Sequence, residues 1–206
     1  MADIATVAEL GTAAGTLVLA VATFSAVRSS NRSARVAERT LLAGLQPLLL
    51  QSRPQDPVER VDFADGVVMG VPPGEAVIMH RNDAVLMAIA VRNVGTGLAL
   101  LQGWHLRVGR TTADDEHEPP ESFRLLTRDI YVSSNDTGFW QGAIRDASDP
   151  NHDDVRRAVE ARESLTIEVL YTDQERARRF ITRFTLTPQE EGWTATAGKM
   201  WALDEH

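Results

Sequence analysis

The chain changes its hydrophobic period at Pro47. Before it, residues 10–27 run eighteen positions without a charge, and Arg28, Arg32, Arg35 and Arg39 follow at spacings of 4, 3 and 4. That is a helical period, and it sets the four guanidinium groups on one face. Beyond Pro47 the period shortens towards two. PLLLQS at 47–52 reads as a strand, and VERVDF and GVVMGV read as a pair turned at Asp65-Gly66 and stopped by Pro72-Pro73-Gly74. AVLMAIAV at 84–91 is apolar throughout, the pattern of a strand covered on both faces. Alternation returns in LQGWHLRVG through Trp104, Leu106 and Val108, and in LTIEVLYT through Leu165, Ile167, Val169 and Tyr171. FITRFTLT repeats it through Phe180, Phe184 and Leu186, with residues 173–178 as the hairpin loop. WTATAGKMWAL sets Trp193, Ala195, Ala197, Trp201 and Leu203 on one face.

One helix interrupts the strands. Asp149 suits its N-cap, Pro150 its first helical position, and Asp153 and Asp154 favour its positive end, leaving Val155, Ala158 and Val159 as a narrow buried stripe. Many short strands with Gly/Pro-rich turns predict an all-β sandwich over residues 46–206, with one short helix.

The opening segment reads as a membrane anchor. Eighteen helical residues reach about 27 Å, close to the ~30 Å hydrocarbon core, and part of residues 4–9 extends the span to about 4–27. A cleaved export signal needs a basic stretch before its apolar core, whereas here Asp3 and Glu9 come first and Arg28 follows. Arginines retained on the cytoplasmic side place the N-terminus outside and the C-terminal domain in the cytoplasm. The stripe of Arg28, Arg32, Arg35 and Arg39 reads most simply as an orientation signal and interface anchor on a basic stalk. The sharper reading is a lipid-facing patch worth about 1 kcal/mol per residue against anionic headgroups, weakened by Glu38. Gly11 and Gly15 form a GxxxG on a seam with Leu10, Ala14, Leu17, Val21 and Phe24, a surface for homo-oligomers through the transmembrane helix.

Charge sharpens this division. The net charge is −8, and four arginines against Asp3, Glu9 and Glu38 leave residues 1–45 at +1 and the remainder at −9. An acidic domain repels phosphate backbones, so nucleic acid is not an expected partner. With no cysteine, the chain has no disulfides, thiolate nucleophiles or cysteine-rich zinc sites.

Candidate chemistry is sparse. Gly95-Thr96-Gly97 follows a strand but lacks the third glycine of a dinucleotide fingerprint, since position 100 is Leu; glycines at positive φ in a loop explain it better. Gly192 to Lys199 has five residues where a phosphate loop has four, and Met200 replaces the metal-binding hydroxyl. The five histidines show no ligand spacing, and Asp114 to Glu118 reads as a solvated loop rather than a cation site. No GxSxG elbow is present, and no cofactor is implied. What remains is TRDIYVSSNDTGFWQGAIRD at 127–146. Read as a loop, it either folds Phe139-Trp140 back over an open end of the sandwich or offers those rings as a platform, edged by Arg128, Asp129 and Arg145, for a peptide or sugar.

RNVGTGLA after an apolar strand, the GFWQGAIRD stretch, and LYTDQ followed by RFTLTP resemble uncharacterised bacterial single-pass membrane proteins with a small immunoglobulin-like β-sandwich domain. The resemblance covers most of the chain. It implies an immunoglobulin-like domain on a membrane anchor, and it carries no catalytic residue. The expected function is a membrane-anchored, non-enzymatic β-sandwich module for protein interaction, with membrane lipid and an unidentified protein as partners. The alternatives are a ligand-binding or enzymatic domain near Phe139-Trp140, and an envelope protein with its domain outside.

Overall fold

The computed structural model describes residues 19–37, 40, 44–112 and 114–203. Met1–Gly44 and Leu45–His206 form two separate compact units. In the first, residues 19–37 are helical (α1), and Arg28, Arg32 and Arg35 lie on it as the 4-3 spacing requires. Among the described residues no helix is long and apolar enough to cross a membrane. Gly11, Gly15, Arg39 and residues 4–18 of the expected span lie outside the described residues.

The second unit is mainly β. Its strands are β1 (Leu49–Gln51), β2 (Glu59–Asp62), β3 (Val68–Val71), β4 (Glu75–Arg81), β5 (Ala84–Asn93), β6 (Ala99–Val108), β7 (Arg124–Val132) and β8 (Thr137–Ile144). After helix α2 (His152–Glu160) come β9 (Leu165–Thr172), β10 (Arg179–Pro188) and β11 (Trp193–Ala202). All pairings are antiparallel, and nine strands join in one curled sheet ordered β1-β5-β4-β11-β10-β9-β6-β7. β8 pairs along the whole of β5, from Val85 to Arg92, so β4 and β1 follow one another along the other edge.

The curl has a core inside and two covers outside. Met87 and Ile89 of β5, Trp104 of β6, Val169 of β9 and Phe184 of β10 meet in a single apolar cluster. The opposite face of β5 (Leu86, Ala88, Ala90) is covered by Val61, Met69 and Val71 of the β2–β3 hairpin. This is why AVLMAIAV has no polar alternation. β9 is likewise buried at every position, although three of its four outward residues (Thr166, Glu168 and Thr172) are polar.

The second cover is polar in construction. Glu168 of β9 and Arg183 of β10 face each other in register and are nearly sealed from solvent, with Arg183 Nη2 2.6 Å and Nε 2.9 Å from Glu168 Oε1. The remaining Arg183 donors reach the carbonyls of Thr112 (3.4 Å), Asp115 (3.1 Å) and Glu116 (2.7 Å), and Glu168 Oε2 accepts the Glu118 amide at 2.9 Å. The stretch expected to be a solvated loop is thus a strap bound by its backbone to a buried arginine. Trp201 closes the stack at 4.7 Å above the guanidinium.

Trp201 reaches that place because of a bulge. Two residues of β11, Gly198 and Lys199, oppose the single Arg183, so the side-chain parity inverts after Ala197. Trp193 and Ala195 therefore face the core, while Trp201 and Leu203 pack outside against Phe123 and Ile181. The single face expected for this strand is split in two.

Three further local expectations change. Residues 127–146 are not a loop but most of β7 and β8. The helix N-cap is Asn151 rather than Asp149; the Asp149 carboxylate instead accepts the Asn151 amide at 2.9 Å. Gly95 and Gly97 are absent from the positive-φ glycines, which are Gly66, Gly74, Gly109 and Gly192. Their role is close approach. The Gln46 carbonyl accepts the Thr96 and Gly97 amides, and a Cβ on Gly97 would sit 2.7 Å from the Leu45 carbonyl carbon. Buried Asn93 completes the latch, accepting the Leu48 and Gly95 amides (both 3.0 Å) and donating to the Gly97 (2.7 Å) and Val132 (3.1 Å) carbonyls.

Gly97→Ala should therefore force the 45–48 segment off the domain and cost about 1–3 kcal/mol in urea unfolding. An unchanged midpoint would show that the segment is not latched there.

Candidate functional site

β7 and β8 are consecutive and joined by a short turn, yet among the described residues they are not paired with one another. β7 bonds only to β6 and β8 only to β5. They splay apart from the turn at residues 133–136, and a cleft of about 220 Å³ opens between them. Its walls carry Arg124, Leu126 and Arg128 from β7 and Gln141 from β8, with Phe63 at one end and Trp104 in the floor.

Aromatic packing holds the floor. Trp104 and Trp140 meet edge to face, with centroids 5.5 Å apart and planes at 76°. A Cβ on Gly142 would stand 2.7 Å from the Trp140 ring and 3.2 Å from that of Trp104, so glycine is required for the two indoles to meet. Trp140 is fully buried, and its indole N–H finds no acceptor among the described residues. That omission costs about 1–3 kcal/mol and is offset by the large apolar area the ring removes from water.

Arginines sit above the aromatics. The Arg124 guanidinium lies 5.3 Å from the Trp104 ring and that of Arg128 lies 5.7 Å from Phe139. Arg124 is clamped by both oxygens of Asp149, one at 2.7 Å. Arg128 donates to the Asp62 carbonyl (3.1 Å) and to Gln141 Oε1 (3.0 Å), both neutral oxygens. Arg145, just past β8, approaches Asp65 at 3.5 Å with both side chains substantially exposed.

Of the five residues read as candidates, Arg128 and Arg145 line the cleft. Phe139 is half-buried beneath Arg128 and packs against both apolar clusters. Trp140 belongs to the core. Asp129 turns away, accepting from Tyr131 at 3.0 Å and facing Arg176 at 3.3 Å. Arg124, Gln141, Trp104 and Phe63 were not singled out from the sequence. The Gly138 and Gly142 flanking the aromatic pair were the available signal, since glycines inside a strand mark close approach.

Helix α2 stands beside this site, tied by the Arg124–Asp149 bridge and by His152. The buried His152 ring brings Nε2 to 2.6 Å from the Asp83 carbonyl, in the Asn82-Asp83 turn where both residues have positive φ. That hydrogen bond, followed by the one to Asp153, raises the His152 pKa. The Arg124 hydrogen bond lowers that of Asp149. On the far side of β6, burial lowers that of His105. Among the described residues no three metal-ligating side chains group to hold an ion. No protein-family model matches this chain, and no curated protein or solved structure matches it either.

The sign of the His152 shift makes a pH prediction. A raised folded-state pKa gives stability that is complete below the unfolded value of about 6.5 and is lost as pH rises through the folded value. Wild type should exceed His152→Gln in urea stability at pH 6, with the gap shrinking towards pH 8.5. A gap that stayed constant or widened would contradict the raised His152 pKa.

Proposed function

We propose that this protein is a membrane-anchored, non-enzymatic interaction module whose immunoglobulin-like β-sandwich is held at the cytoplasmic face by a span at about residues 4–27. The observation that carries the interaction reading is the unpaired seam between β7 and β8. Free strand edges are places where another chain can add its own backbone, and here two of them border a cleft. Burial of Trp140 and partial burial of Phe139 speak for packing rather than a ring platform over a substrate. The cleft's volume of about 220 Å³ is also below the ~300–1,000 Å³ usual for small-molecule pockets.

The sandwich reading draws support from the core. Val85, Met87 and Ile89 of β5 contribute to the same cluster as Ile167, Val169 and Phe184 of β9 and β10, so two limbs of the curled sheet face each other across one apolar layer. The anchor rests on the uncharged run at 10–27 and on the arginine stripe, whose Arg28, Arg32 and Arg35 follow α1. The GxxxG of Gly11 and Gly15 would let two copies pair in the bilayer.

Topology tests the location. Single cysteines at Ala2 and at the exposed Ser148 of this cysteine-free chain can be labelled in intact cells with a membrane-impermeant thiol reagent. Labelling at position 2 alone is the expected result. Labelling at Ser148→Cys alone would move the domain outside and make an envelope role the better reading; labelling of neither site in intact cells, with both reactive after lysis, would remove the span.

A further inference from the structure

We infer that the cleft between β7 and β8 receives an extended acidic segment of a partner protein, laid along the free strand edges with its carboxylates on Arg128 and Arg145. This deepens the interaction reading above and rests on it for the choice of a protein partner.

Charge is the first observation. Residues 46–206 carry a net −9, yet Arg124, Arg128 and Arg145 are gathered around one cleft. Around the cleft Arg124 is matched to Asp149 and Arg145 lies 3.5 Å from Asp65, as Arg92 is matched to Asp56 at 2.8 Å and Arg183 to Glu168 at 2.6 Å. Arg128 is not. Its two acceptors are a main-chain carbonyl and a side-chain amide oxygen. The carboxylates that could have served it are turned elsewhere, with Asp62 on Arg60 at 3.3 Å and Asp129 on Arg176 and Tyr131. A guanidinium so placed keeps its charge and spare donors for a carboxylate from outside.

Backbone is the second observation. Every second N–H and C=O of β8, and of β7 where it pairs with β6 at 124–125 and 130–132, points away from the partner strand, and residues 126–129 of β7 have no partner on β6 either. An extended segment satisfies them with its own main chain, and its alternate side chains fall on one face. Carboxylates at every second position would then reach Arg128 on one wall and Arg145 near the other. Charged residues on an edge strand also serve simply to ward off other chains. Arg128 is exposed, as that role requires, but it is also fixed in place over the Phe139 ring and by its bonds to the Asp62 carbonyl and Gln141, which suits a receiving site. Nucleic acid, the other extended anion, has no peptide backbone to pair with free strand edges and carries a phosphate at every nucleotide against a domain of net −9.

The test uses the full-length protein in detergent and three end-blocked octapeptides of alternating residues, Glu-Thr, Gln-Thr and Lys-Thr. Calorimetric titration gives affinity, and amide chemical shifts locate the peptide. The Glu-Thr peptide should bind with shifts confined to β7, β8 and the Phe63 segment, and should weaken on going from 50 to 300 mM salt. Arg128→Glu and Arg145→Glu should each reduce its affinity at least tenfold; Arg128→Gln should give an intermediate loss. Near-UV circular dichroism from the Trp104–Trp140 pair, unchanged in these variants, confirms that they are folded. Equal binding of the Gln-Thr or Lys-Thr peptide, undiminished binding by the charge-reversed variants, or no binding of Glu-Thr at millimolar concentration would each overturn the proposal. None of those outcomes alters the labelling pattern expected for the anchor, so the two readings fail separately.

Discussion

Between β7 and β8 the sheet is held by side chains rather than by backbone. A nine-stranded sheet that curls this far brings its end strands together, and the usual closure is a final ladder of hydrogen bonds. Here the Trp104–Trp140 contact takes that place, with Gly142 leaving room for it and Arg124 lying over the outer indole. Two consequences follow from one substitution of packing for pairing. The core is sealed, since Trp104 and Trp140 are both buried, and the edges of two strands stay available. The orphaned indole N–H of Trp140 is the local cost of putting an amphipathic ring where a purely apolar one would have been fully satisfied.

The outside of the curl required separate solutions, and the two differ in kind. Over β5 the β2–β3 hairpin supplies apolar cover, and hydrophobic burial suffices. Over β9 and β10 the cover is a strap of residues 109–112 and 114–123 with little apolar content, and it is held by a buried ion pair. Removing one partner of such a pair costs about 3–5 kcal/mol because the other is left charged and desolvated. Arg183 fixes a single arrangement, since it offers five donors in a rigid fork and all five have acceptors on Glu168 or the strap. The bulge in β11 belongs to the same device: without the extra residue Trp201 would point into the core instead of onto Arg183.

Much of this was legible in the sequence where periodicity alone decides. The double burial of β5, the β2–β3 pair, the β9–β10 hairpin and the buried face of α2 all follow from spacing. What was missed depends on partners distant in the chain. β4 (EAVIMHR) carries too little alternation to announce itself, and its place comes from pairing with β5 through an Asn-Asp turn. Glu168 and Arg183 look like outward-facing polar positions until the strap is laid over them. Arg124 and Gln141 are unremarkable in sequence and line one cleft only because β7 and β8 lie beside each other without pairing. The aromatic pair lies in a strand rather than a loop: Gly138 and Gly142 read as loop residues, whereas each admits a bulky neighbour inside β8.

The open seam is therefore the feature on which the interaction reading stands, and residue-resolved amide hydrogen exchange of the full-length protein measures it directly. Amides of β5 and β9, paired on both edges, should exchange only through global unfolding. Alternate amides of β8, and of β7 where it pairs with β6, should exchange orders of magnitude faster in the period-two pattern of a strand bonded on one side, with residues 126–129 fast throughout. If every amide of β7 and β8 were protected to the level of β9, the two strands would be paired in solution and no edge would be left for a partner.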